Sequence, residues 1–274
     1  MKCQTKLPTK LLPFLLVVAL AALTVPQSEA QVVQDAPAKK IKKNDTFFQY
    51  SNWRAFVNRV FDGDLTVKQM VERGDIGLGS YDFLDGEMIM VDSVPYRIRE
   101  DGKVTVAKDD DQLVYVNATH FEADASQTFK SVGNYEEFRG RLNSQLESKN
   151  YFYAFRVNAT FSKIKLGGLN KQKKPFDKGL DVLIPNRPVF ESDKVKGTMI
   201  GFFCPDFIGD INVAGYHFHF ISDDRKLGGH VMEFESAADI TVEIDRMRSY
   251  QFLLPATEEY SKVDPKKEFQ YRKN

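Results

Sequence analysis

Gly215-Tyr216-His217-Phe218-His219-Phe220-Ile221-Ser222 runs into Asp223-Asp224-Arg225-Lys226-Leu227-Gly228-Gly229 and then His230-Val231-Met232-Glu233-Phe234. Three of the chain's four histidines fall in the stretch 217–230. On a strand, side chains two apart share a face, so His217 and His219 project together while Tyr216, Phe218 and Phe220 take the opposite, apolar side. The Asp-Asp-Arg-Lys-Leu-Gly-Gly segment has hairpin length and turn composition. The strand opening at His230 therefore returns beside the first and brings a third imidazole to the same face. Three neutral imidazoles with an open fourth position make a metal site of the catalytic rather than the structural kind, with zinc (Zn2+) the first expectation. Iron, manganese and nickel accept the same ligand type. His120, alone in Asn117-Ala118-Thr119-His120, has no such context and reads as an ordinary histidine.

Working outward, strand signals prevail. Residues 76–81, 87–92, 94–98 and 103–106 are short, β-rich and separated by Gly or Asp turns, the pattern of an antiparallel meander. Further strands are expected at 151–161, 197–203, 216–222, 229–234 and 239–245. Between residues 52 and 73, Phe56, Val60, Val67, Met70 and Val71 recur at helical spacing around an Asp62-Gly63-Asp64 break, which predicts two short helices. Asn134 with Glu137 three residues on, then Phe138, Leu142 and Leu146, predicts a capped helix of about four turns. The class is α+β (mixed α/β), strand-dominated, with a few short helices.

The first thirty residues have the layout of a secretory signal: Lys2, Lys6 and Lys10, an apolar run over 11–25, then Ser28-Glu29-Ala30. A membrane span needs roughly 20 apolar residues, so cleavage near Gln31 and export, periplasmic or extracellular, are expected, with no membrane association afterwards. Residues 31–45 read as a solvated, lysine-rich leader. Removing residues 1–30 leaves 35 basic against 37 acidic residues, a balance that gives no reason to expect nucleic acid. Cys204 is then the one cysteine outside the signal, so no intrachain disulfide forms and stability rests on a packed core.

The histidine block, taken from Gly201-Phe202-Phe203-Cys204-Pro205 through Ile211-Asn212-Val213-Ala214 to Gly228-Gly229-His230-Val231, resembles the metal-binding block of the α-acetolactate decarboxylases. Gly74-Asp75-Ile76-Gly77-Leu78-Gly79-Ser80-Tyr81 with Leu84-Asp85-Gly86-Glu87, and Tyr153-Ala154-Phe155-Arg156 with Lys171-Gln172 and Lys174-Pro175-Phe176, resemble two further blocks of that family, in the same order. The resemblance implies decarboxylation of 2-acetolactate, a small 2-hydroxy-3-keto acid, to acetoin and CO2, with zinc held by His217, His219 and His230. It places Glu87 beside the metal, Ser80 in the pocket, and a proton-donating glutamate near the C-terminus, for which Glu268 is the late candidate. It also implies a homodimer and two sheet-based lobes, one mixed and one largely antiparallel, with a boundary taken at residue 180: an N-terminal lobe over 46–180 and a C-terminal lobe with the metal site over 181–274.

One position departs from the family. Its active-site arginine aligns with Gly167, in Lys165-Leu166-Gly167-Gly168. Arg156 matches a different family arginine and is taken as a site candidate, with Lys165 as a substitute lacking the bidentate fork. The departure raises an alternative, a zinc-binding relative with altered substrate or lost activity. A cupin-type iron site is a third reading, but the glutamate that pattern places soon after the second histidine is replaced here by Phe220, Ile221, Ser222 and Asp223.

Overall fold

The computed structural model describes residues 45–264 together with Lys266. The expected signal at 1–30, the leader through residue 44, and Glu268 lie outside the described residues. In chain order the strands are β1 (Thr46–Tyr50), β2 (Leu65–Thr66), β3 (Ile76–Tyr81), β4 (Glu87–Val91), β5 (Val94–Ile98), β6 (Val104–Val106), β7 (Gln112–Thr119), β8 (Ala125–Phe129), β9 (Phe152–Gly167), β10 (Val189–Cys204), β11 (Gly215–Ser222), β12 (Gly228–Glu235), β13 (Ile240–Met247) and β14 (Ser249–Leu253). One sheet has the order β14-β1-β7-β3-β4-β5-β6, with β2 beside β7. It is mixed, because β14 runs parallel to β1 while its other pairs are antiparallel. The second sheet, β10-β11-β12-β9-β13-β8, is wholly antiparallel. The long strands β9 and β10 also pair with each other, closing β9, β10, β11 and β12 into a ring.

The α+β class, the meander β3-β4-β5-β6 and the histidine hairpin β11-β12 are as the sequence indicates. The division at residue 180 is corrected. β8 and β9 precede it yet belong to the second sheet, and β14 follows it yet belongs to the first. The turn-rich basic segment after Gly167 is a connection inside the second sheet, from β9 to β10. It is pinned by Gln172 N–H donating to Phe83 O at 2.7 Å and by Lys174 on Asp62 at 2.7 Å.

Alternation along the strands builds the layers. On β11, Phe218 and Phe220 enter a core with Phe138, Phe155, Phe161 and Phe234, while Ile221 on the opposite face joins a second core with Ile76, Leu78, Ile89 and Ile98 of the first sheet. His217 and His219 share the face of Ile221. On the first sheet, Ile76 and Leu78 of β3 and Ile89 and Val91 of β4 supply that inter-sheet core, whereas Tyr81, Met88 and Met90 fill a third core on the other side. The same two-residue period places Ser80 and Glu87 toward the histidines.

The helices Trp53–Val57 and Val67–Val71 are the two expected in 52–73, the second opened by a Thr66/Gln69 capping box. The helix Tyr135–Asn143 is shorter than the four turns expected. Asn134 Oδ1 caps it by accepting from Glu137 N–H at 2.8 Å, but the Glu137 carboxylate accepts from Gly133 rather than closing a box on Asn134. Strands β1, β7, β8 and β14 have no counterpart in the sequence reading. β7 is buried from Leu113 to Thr119, so it lacks the alternation that marks a half-exposed strand.

Phe218 separates His217 from His219 and anchors the back of the hairpin. It is 1% exposed and meets the rings of Phe155, Phe138 and Tyr135 at centroid distances of 5.7, 5.9 and 6.3 Å. The close approach needs a glycine opposite, since a Cβ at Gly201 would fall 2.1 Å from the Phe218 ring. Phe218→Ala is expected to lower stability by about 3–5 kcal/mol, read as a drop in the urea midpoint at unchanged slope.

Candidate metal centre

Register brings the three histidines together. His219 of β11 stands directly opposite His230 of β12, and His217 lies two residues before His219 on the same face. His217 Nε2 is 3.2 Å from His219 Nε2 and 3.2 Å from His230 Nδ1. Ligand atoms about 2.0–2.1 Å from a tetrahedral zinc-type ion would be separated by about 3.3–3.4 Å, so the spacing fits a single ion. The tautomer of His219 is fixed from outside. Met88 O can only accept, at 2.8 Å from His219 Nδ1, so Nδ1 carries the hydrogen and Nε2 presents its lone pair to the centre. His217 Nδ1 is buried without a hydrogen-bond partner among the described residues, which leaves Nε2 as its functional atom.

Burial keeps these rings neutral. It holds His217 and His230 well below the ordinary imidazole range, aided by their mutual proximity and the Arg187 charge, and pulls His219 down to about 4 against the opposing pull of Met88 O. Neutral imidazole is the form that binds metal. The donor set, its spacing and its protonation state therefore fit a divalent ion.

The first sheet adds the acid. Glu87 opens β4 directly across from Ser80 on β3, and Ser80 Oγ donates to Glu87 Oε2 at 3.1 Å. Glu87 Oε2 lies 3.8 Å from His219 Nε2, beyond hydrogen-bond range but beside the converging lone pairs. Burial pushes the Glu87 carboxyl up to about 7, with Ser80 and the Arg187 charge pulling the other way. All five side chains line one cavity of about 950 Å³, whose lining also includes Trp53, Phe56, Tyr115 and Leu169.

Arg156 is not part of this site, and that expectation is corrected. Register places it on the face of His219, but Ile200 stands between them, and two strand spacings amount to about 10 Å. Its Nη2 donates instead to Asp92 Oδ1 at 2.6 Å, with the guanidinium over Phe121. Lys165 is also elsewhere, 3.6 Å from Glu191 and 41% exposed. Glu268 lies outside the described residues. The residue the sequence reading missed is Arg187, which lines the cavity from the approach to β10. A Cβ on Gly167 would lie 3.2 Å from both Arg187 Cδ and Nε, so the arginine's stem lies over the glycine. Nothing in the local pattern marks it beyond its place between Pro185 and Pro188, two residues before the strand that pairs with Gly167.

Fold and site together define a two-sheet protein with a three-histidine cluster that could hold a metal ion and a buried carboxyl at its side. A sequence model of the family described as alpha-acetolactate decarboxylase matches residues 47–267. The alpha-acetolactate decarboxylase of Brevibacillus brevis is 34% identical over 249 residues, 90% of this chain and 86% of that protein. That of Methanosarcina mazei is 36% identical over 203 residues, 72% and 70% of the two chains. The crystal structure of alpha-acetolactate decarboxylase from Bacillus subtilis strain 168 superposes with a TM-score of 0.77 at 32% identity, covering 80% of this chain and 93% of that one. The chain belongs to the α-acetolactate decarboxylase family and is a carboxy-lyase.

A metal that binds the folded protein stabilises it by mass action, by about 2.7 kcal/mol at a hundredfold excess over its Kd. Purified protein is expected to carry stoichiometric metal by elemental analysis and to lose several degrees of Tm on chelation, regained on adding a divalent ion. His217→Ala is expected to show neither the metal nor the chelator response.

Proposed function

We propose that this protein binds zinc through His217, His219 and His230 and decarboxylates 2-acetolactate to acetoin and CO2. The observation that carries the reading is the convergence of three neutral imidazole nitrogens beside a buried carboxyl in a cavity open to a small molecule. When bound, zinc would act as a Lewis acid toward the substrate's ketone and hydroxyl oxygens and stabilise the electron pair that the departing carboxylate leaves behind.

The chain's own groups supply the remainder. In the reaction one carbon–carbon bond breaks, CO2 leaves, and one proton is taken up at the vacated carbon. Glu87, with its carboxyl raised to about 7, can accept a proton from the substrate hydroxyl or return one near neutral pH. A neighbouring dication would favour its ionised form, so its working pKa lies lower once metal is present. Ser80 Oγ holds the Glu87 carboxyl in a single orientation. Met88 O holds the His219 ring. Phe56 stacks on Tyr115 at 5.4 Å, part of an aromatic wall suited to the substrate's methyl groups and to the exclusion of water.

The lysine-flanked apolar run in residues 1–30 further supports export of the mature chain, which N-terminal sequencing of secreted protein beginning near Gln31 would test. The activity test is acetoin formation from racemic 2-acetolactate by the chain from Gln31, with metal measured on the same sample. Acetoin above the spontaneous rate is expected, lost in His217→Ala and lowered by roughly 10²–10⁴-fold in Glu87→Gln with metal retained. Full metal occupancy without acetoin would refute decarboxylation as the function.

A further inference from the structure

The decarboxylation substrate is an anion, and the centre described so far has no fixed cation to receive its carboxylate. Three basic side chains line the cavity among the described residues: Arg139, Lys149 and Arg187. Arg139 is paired with Glu136 and laid over the Tyr135 ring. Lys149 is exposed to solvent. Arg187 is half-buried, and its charge acts on Glu87, His217 and His230 alike.

The route of Arg187 to that place is specific. Gly167 is the cross-strand partner of His230 on one side and of Val189 on the other. Directly opposed residues of an antiparallel pair project to the same face, so a side chain at 167 would rise beside His230. Position 167 has none. In that space lie Cδ and Nε of Arg187, each 3.2 Å from where a Cβ would stand, with Met232 Sδ at 3.0 Å on the same side. The glycine is therefore the gap through which the arginine reaches the centre, and any larger residue would press on its stem. Among the described residues the Arg187 guanidinium has no carboxylate partner, so its fork of donors remains available.

We propose that Arg187, threaded over Gly167, is the substrate-binding residue that receives the carboxylate of the 2-hydroxy-3-keto acid, and that Gly167 and Arg187 work as one pair. The assignment rests on the decarboxylase reading for the identity of the acid. A guanidinium offers two parallel N–H donors to a carboxylate, and the pair is favoured where water is excluded. Held at the cavity side of His230, the group leaving as CO2 would be directed away from the ligand nitrogens while the ketone and hydroxyl face them.

The test compares two non-reacting probes on the metal-loaded protein by calorimetry: 2,3-dihydroxy-2-methylbutanoate and its primary carboxamide, which keeps the diol and loses the charge. The parent is expected to prefer the acid by roughly ten- to a hundredfold. Arg187→Gln is expected to bring the two probes within about twofold of each other with metal content unchanged. Arg187→Lys should retain part of the preference, and the double variant Gly167→Arg, Arg187→Gln should recover it from the neighbouring strand. A purely structural arginine would weaken both probes equally, and that result, or an unchanged preference in Arg187→Gln, overturns the proposal. The two readings separate cleanly. A protein that makes acetoin with an unchanged preference in Arg187→Gln keeps its function and loses this assignment, whereas one that makes no acetoin but loses the acid preference keeps the assignment and loses the decarboxylase reading.

Discussion

Three imidazoles can be brought nitrogen to nitrogen in a cavity, one buried and two half-buried, only if they are neutral and something answers their lone pairs, and this requirement organises the site. Their desolvation is borne by the packing of two sheets. Phe218 and Phe220 lock one face of β11 into an aromatic core, so the other face has no choice but to present His217 and His219 toward β3 and β4. The first sheet replies with a backbone carbonyl from Met88 and a carboxyl from Glu87, adjacent residues of one strand. Glu87 is as costly to bury ionised as the histidines are to bury charged. A dication held by the three histidines would resolve both problems at once, because it would use the lone pairs and balance the carboxylate. The chemistry and the folding of the centre are thus one electrostatic arrangement.

The hairpin was legible because a half-buried strand writes its two faces into alternate residues, and His217, Phe218 and His219 do so plainly. The meander of β3 to β6 was legible for the same reason, helped by its glycine and aspartate turns. Glu87 and Ser80 were not readable in that way. Each lies in a short apolar strand where a single polar residue has no periodicity to declare its purpose, and only the resemblance to the family singled them out. The pairing of β1 with β14 joins residues some 200 positions apart and is parallel, so no local signal announces it. β7 fails for the opposite reason: buried from Leu113 to Thr119, it shows no alternation of exposed and buried positions, and Asn117 lies inside with its apolar neighbours.

The expected boundary at residue 180 shows how a turn-rich, basic segment can mimic a linker. Gly167 to Lys178 has the composition of an exposed connection, yet Phe176 packs on Phe61 and Phe83 and Lys171 reaches Asp85, where Arg97 and Arg99 also converge. Composition reports solvent exposure on average. It does not report whether a loop's few apolar and charged residues find partners.

Gly167 makes the same point about function. Read along the chain, a glycine where the family resemblance implies an arginine reads as a loss, and it invites the conclusion that the activity has gone with it. Read across the sheet, position 167 is a point in space flanked by β10 and β12, and the charge reaches that space from the residue two places before Val189, its partner on β10. An antiparallel sheet permits such an exchange because facing positions on adjacent strands are about 5 Å apart, less than the length of an arginine side chain. The cost is that the vacated position must be small, since the incoming stem needs the room that a side chain would take. Glycine at 167 leaves the room that the Arg187 stem occupies, because a Cβ there would stand 3.2 Å from both Cδ and Nε.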